Sequence, residues 1–161
     1  MNPLDHTVDP HLISATFNEQ LAVGAVMIAI CVIIHGTGLF TLRRLMHSER
    51  SRERIERMEP LSIHGALFTL FVVFALIFIH FIEIWLFALL YDLVGALRTF
   101  EQALYISTIS YATIGFSDVT IAHQWRQVAA TEGLLGIILL GWSTAFFVRV
   151  LDRLERDPPP R

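Results

Sequence analysis

The chain has 161 residues, enough for one modest domain, and it is 54% hydrophobic and only 17% charged. A mean hydropathy of +0.57, with the apolar residues gathered in blocks, places it on the membrane side of the globular range and argues against an ordinary soluble domain. The net charge of −3 says little, and no nucleic-acid partner is expected; the placement of the twelve basic residues, all Arg, says more.

Residues 1–20 carry Asp5, Asp9 and Glu19 and no basic side chain, and they read as an extracellular N-terminal segment. The apolar block "LAVGAVMIAICVIIHGTGLFTL" follows, and a transmembrane helix is expected over 21–45. It has no charged side chain from Leu21 to Leu42, which covers a bilayer of about 30 Å at about 1.5 Å per residue. It lacks the basic n-region of a signal peptide, and its apolar run is too long for one. Cys31 stands alone within it, so no internal disulfide or CxxC motif is available, and a small buried hydrophobe is the expected role.

Residues 46–61, which contain "HSERSRERIERMEP", alternate acid and base and read as a cytoplasmic Arg-rich link, helical and solvated, ended by Pro60. The second block, His64 to Leu97, is longer than one crossing needs, and a tilted or projecting helix is expected over 62–97. Thr99 can cap a short helix with Glu101 and Gln102 in its first turn, expected over 99–112. "TIGFSD" then occupies 113–118, and a third span is expected over 127–151 before a short cytoplasmic tail, 152–161. Arg clusters at 43–57 and 149–161 stay on the cytoplasmic side, which gives three crossings, an outside N-terminus and an inside C-terminus in the cell membrane. The piece between the second and third spans therefore starts and ends outside.

Short helix, "TIGFSD" and two flanking spans together resemble the pore domain of potassium channels, over residues 62–151. That family's filter reads Thr-Val/Ile-Gly-Tyr/Phe-Gly-Asp, and Thr113, Ile114, Gly115, Phe116 and Asp118 match it. In detail the chain is similar to small bacterial two-transmembrane or two-pore-type channels. The resemblance implies an all-α integral membrane protein with three transmembrane helices per chain, a re-entrant pore helix and a filter loop, tetrameric around a central pore. It implies passive conduction of K⁺ ions held by the carbonyls of Thr113, Ile114, Gly115 and Phe116, with no other cofactor and no enzymatic activity. Partners would be lipid and three further copies of the chain. Gly permits the backbone angles that such a carbonyl ring needs. Ile114 and Phe116 would then point away from the axis and wedge the loop against its pore helix.

Two positions depart from the family's pattern. Ala112 replaces a Thr, and Ser117 replaces the second filter Gly. A non-Gly residue at positive φ costs roughly 1 kcal/mol or more, so a distorted outer site is expected at Ser117 with the inner sites still selecting potassium. Relaxed selectivity for monovalent cations, or a non-conducting subunit, are the alternatives.

Ionisable residues inside spans are functional candidates. Glu83 has His80 three residues before it on the same helical face, and His35 lies near the middle of the first span. The favoured reading is that Glu83 and His80 brace the filter from behind. A metal or proton-sensing cluster of His35, His80 and Glu83 is the rival, but the closely spaced His pairs of membrane oxidases are missing. Glu132 either contacts the pore helix or faces water. Gly133, Gly136 and Gly141 are positions for close packing or a gating bend, Ser143 and Thr144 are candidates to face an inner cavity, and Trp85, Trp125 and Trp142 suit interfaces or packing. No run of Arg at every third residue marks a voltage sensor.

Overall fold

The computed structural model describes residues 10–46, 63–115, 117, 119 and 121–155, with the backbone alone for 10–16 and 153–155. Residues 47–61 of the Arg-rich link, Phe116, Asp118 and residues 156–161 of the C-terminal tail lie outside the described residues. Among the described residues four α-helices follow one another: α1 (Pro10–Met46), α2 (Ile63–Leu93), α3 (Phe100–Tyr111) and α4 (Arg126–Glu155), the last preceded by a single 3₁₀ turn, His123–Trp125. No strand occurs among the described residues. Three of the helices contain stretches long and apolar enough to cross a membrane: Phe17–Met46, Ile63–Leu93 and His123–Asp152, the last beginning in the 3₁₀ turn.

Helix α1 begins well before residue 21. Pro10 suits a first helical position, where a missing N–H costs nothing. Helix α2 stops at Leu93, short of residue 97, because Gly95 caps it. Gly95 has φ +63°, the Ala96 N–H bonds the Tyr91 carbonyl at 2.9 Å, and the Gly95 N–H bonds the Asp92 carbonyl at 3.1 Å. This pair of bonds is the Schellman end of a helix, which a glycine at positive φ makes cheap. Thr99 caps α3 by accepting the Gln102 N–H on its hydroxyl.

The directions of the helices follow from their contacts. Tyr91 meets Glu132, and His80 meets Ser143, so eleven positions back along α2 match eleven positions forward along α4, and these two helices are antiparallel. Gln20 meets the Gln127 backbone and His35 meets Ser143 at nearly constant offsets of 107 and 108, so α1 and α4 run parallel. Helix α3 packs on α2 and α4 and does not reach the far half of the molecule. There α1, α2 and α4 close on a separate apolar cluster of Leu39, Leu42, Val72, Leu76, Ile79 and Val150. A larger cluster, including Cys31, Phe87, Ile106 and Leu139, surrounds α3. In apolar spans, hydroxyls need a local acceptor. Thr41, Thr69, Thr108 and Thr144 each bond the carbonyl four residues back, and Thr37 does the same to Ile33.

Close packing of α3 on α4 depends on two glycines. A Cβ on Gly133 would lie 3.0 Å from the Ser110 carbonyl oxygen, and one on Gly136 would overlap the Tyr111 carbonyl oxygen. Gly141 has nothing within 4 Å, so it serves no packing contact within the chain. Gly136→Ala is expected to destabilise the protein by about 1–3 kcal/mol, because backbone must move to admit the methyl group. Gly141→Ala should leave stability unchanged or slightly raised. Thermal unfolding of both variants in detergent checks this, and equal melting temperatures for the two would contradict the packing argument.

Candidate functional site

Two buried carboxylates tie the four helices together, each at a different level. Helices α2 and α4 contribute Tyr91 and Glu132 to the first, and α3 adds Ser107. The Tyr91 hydroxyl donates to Glu132 Oε2 at 2.6 Å, and Ser107 Oγ stands 2.5 Å from Oε1. Ser107 Oγ also lies 2.8 Å from the Ile84 carbonyl. Glu132 is fully buried, so the water-facing alternative is excluded and the contact with the short helix is present.

Glu83 stands at the second level, eight residues before Tyr91 along α2 or about 12 Å at helical rise. His35 Nδ1 lies 3.0 Å from its Oε1. His80 Nδ1 lies 3.2 Å from Oε2, and the Tyr111 hydroxyl donates to the same oxygen at 2.5 Å. Tyr111 is also 2.7 Å from His80 Nδ1. Ser143 closes the ring on the far side, with its Oγ 3.0 Å from His80 Nε2 and 3.3 Å from His35 Nε2. His35 and Glu83 are fully buried, and the His80 side chain is 12% exposed. The rings of His35 and Trp142 also touch, with centroids 5.3 Å apart. His35, His80 and Glu83, separate in sequence, therefore form one cluster, and Ser143 belongs to it rather than to a cavity wall.

Tyr111, which bonds Glu83, ends α3 two residues before Thr113, the first residue of "TIGFSD". The chain turns off α3 by the same device that ends α2. The Ile114 N–H bonds the Ile109 carbonyl at 2.8 Å and the Thr113 N–H bonds the Ser110 carbonyl at 2.9 Å. The residue in the left-handed position, however, is Thr113 with φ +58°, where a β-branched side chain is strained. Gly115 follows at φ +66°, and Ile114 between them keeps a negative φ. The Ser117 hydroxyl bridges both the N–H and the carbonyl of Val119, each at 2.9 Å. Ile114 is 61% exposed in the single chain, and Ala112, Thr113 and Gly115 are exposed as well.

A protein-family model described as "Ion channel" matches residues 66–153, more than half of the chain. The chain belongs to the ion channel family. Comparison with curated proteins and with solved structures finds no match. Within this channel, α1 precedes the matched region, yet it supplies His35 to the Glu83 cluster. Tyr91, Ser107 and Tyr111 are the polar partners that reading the sequence missed. Their only signal is a hydroxyl at a position that helical spacing makes buried.

Tyr91→Phe leaves the buried Glu132 carboxylate with one hydroxyl partner fewer. Stability should fall by roughly 1–3 kcal/mol, read as a lower melting temperature in detergent. An unchanged melting temperature would show that Glu132 does not depend on the bond.

Proposed function

We propose that this ion channel passes potassium passively through a ring formed by residues 113–118 of four identical chains. The carrying observation is the Thr113–Gly115 segment, anchored on one side and exposed on the other. Its amides are tied to the end of α3, α3 is held by Glu83 and Glu132, and the opposite side is bare in the single chain. Among the described residues, no atom beyond its chain neighbours lies within 4 Å of where a Gly115 Cβ would stand, which leaves room for neighbouring copies.

Backbone of alternating hand turns successive amides to one side and successive carbonyls to the other. Positive φ at Thr113 and Gly115 with negative φ at Ile114 is such an alternation. Carbonyls that converge on an axis replace a cation's hydration shell, which supports coordination of K⁺ by Thr113, Ile114, Gly115 and Phe116. The end of α3 points its partial negative charge the same way. The Arg-rich segments at 43–57 and 149–161 favour a cytoplasmic placement, with the N-terminus outside and α3 entering the membrane from there. In this reading Glu83 and His80 brace the filter through Tyr111, and no chemistry is performed on a substrate.

Liposomes holding the purified protein, with K⁺ or Na⁺ gradients in separate preparations, provide the test. Flux of K⁺ well above that of Na⁺ is expected. Equal fluxes would replace this reading with a non-selective monovalent cation pore, and no flux with either ion would replace it with a non-conducting subunit. Because the Ser117 hydroxyl is engaged by Val119, Ser117→Gly should free the outer position and raise the K⁺/Na⁺ permeability ratio. An unchanged ratio would show that Ser117 has no part in selectivity.

A further inference from the structure

With Glu83 ionised and both imidazoles neutral, the ring around Glu83 has four protons, one on each imidazole and one on each of the Tyr111 and Ser143 hydroxyls, for six close polar contacts, His80 Nδ1 facing the Tyr111 oxygen at 2.7 Å as well as Glu83 Oε2. When both imidazoles carry their proton on Nδ1, each Nε2 has only a lone pair, and both face Ser143 Oγ. A hydroxyl has a single proton, so it can serve one Nε2 and not the other. An unpaired acceptor at this depth is costly.

We propose that His35, His80 and Glu83 bind a divalent transition metal ion of the zinc type, with the Tyr111 oxygen at the fourth corner. Donor identity fits, since two imidazoles and a carboxylate are an established N/O set for zinc. Spacing needs only small shifts. One ligand atom from each of the three residues lies within 4.8 Å of the others, His35 Nδ1 stands 3.0 Å from Glu83 Oε1 and His80 Nδ1 3.2 Å from Oε2, and the Tyr111 oxygen is 2.5 Å from Oε2 and 2.7 Å from His80 Nδ1. Ligands bound at about 2.0–2.2 Å in a tetrahedron are about 3.3 Å from one another, so Tyr111 would move outward by less than about 1 Å on binding. Metal at both Nδ1 atoms also settles the proton count. Each Nε2 then carries a hydrogen and donates to Ser143 Oγ, whose two lone pairs accept both. A second ring N–H held by an outer partner is the usual arrangement around metal-bound histidine. Such an ion would pin α1, which lies before the family-matched region, to α2 and to the end of α3. This inference stands independently of whether the channel conducts.

The test is metal binding by the untagged full-length protein in detergent, after chelation and gel filtration. Zn²⁺ added alone should be retained at about one ion per chain by elemental analysis, and Co²⁺ should give the intense visible absorption of a tetrahedral N/O site. His80→Gln should abolish both signals. Ser143→Ala, which removes no ligand, should weaken Zn²⁺ affinity about 10–100-fold. Failure of the folded wild-type chain to retain either ion would overturn the proposal and leave the ring completed by an extra proton. Retention unchanged in His80→Gln would overturn it equally, by placing the metal elsewhere. The wild-type Co²⁺ spectrum decides between tetrahedral N/O ligation and none, even if a variant does not fold.

Discussion

A carboxylate cannot stand alone among apolar helices, and Glu83 is the point from which the rest of the structure is arranged. Burial of an isolated charge costs far more than any one packing contact returns, so every side chain around it must point a donor inward. His35 on α1, His80 on α2 and Tyr111 on α3 do so, and Ser143 on α4 bridges the two histidines from behind. All four helices thus have a polar reason to keep one register. Apolar contact alone would not fix it, because between lipid-soluble helices sliding by one turn exchanges one aliphatic contact for another.

Glu132 repeats the device nearer the connection between α2 and α3. Between them, the two carboxylates grip α3 at Ser107 and Tyr111, four residues or about one helical turn apart. A twelve-residue helix has little packing area of its own, and two polar anchors on one face fix both its position and its rotation. The backbone leaving its end inherits that precision. Strain at Thr113 is tolerable only because the turn around it is over-determined, by the amides of Thr113, Ile114 and Gly115 on one side and the Gly133 and Gly136 contacts on the other.

Much of this was legible in the sequence, for physical reasons that differ by element. The three long apolar helices follow from runs of residues that only a bilayer or a large core could cover. Glu83, His80 and His35 are conspicuous because ionisable residues are rare in such runs, and that rarity does not depend on knowing the fold. Ser143 and Tyr111 carry no such signal, since hydroxyls are common in membrane helices and usually bond their own backbone, as Thr108 and Thr144 do. Which helix faces which, and at what offset, is a property of the packed chain. The left-handed turn at Thr113 has no sequence signal, because side-chain preference argues against a β-branched residue there. The end of α2 at Leu93 was written in Gly95, but hydropathy, which stays high to Leu97, hides a backbone cap.

The position of α1 gives the polar ring its wider meaning. The family match begins after α1, so a two-span channel domain would supply Glu83, His80, Tyr111 and Ser143 without His35. In that arrangement Glu83 Oε1 would lose His35, its one side-chain partner among the described residues, and the carboxylate would be half satisfied in an apolar surrounding. His35 completes the shell, and with Gly36 and Gly38 beside it α1 lies close against Trp142 on α4 and Ile79 on α2. The added helix is therefore more than a lipid-facing appendage. It meets the channel domain at the level where α3 ends, and any movement of α1 along its axis must break a buried bond to the carboxylate that holds Tyr111, two residues from the start of "TIGFSD".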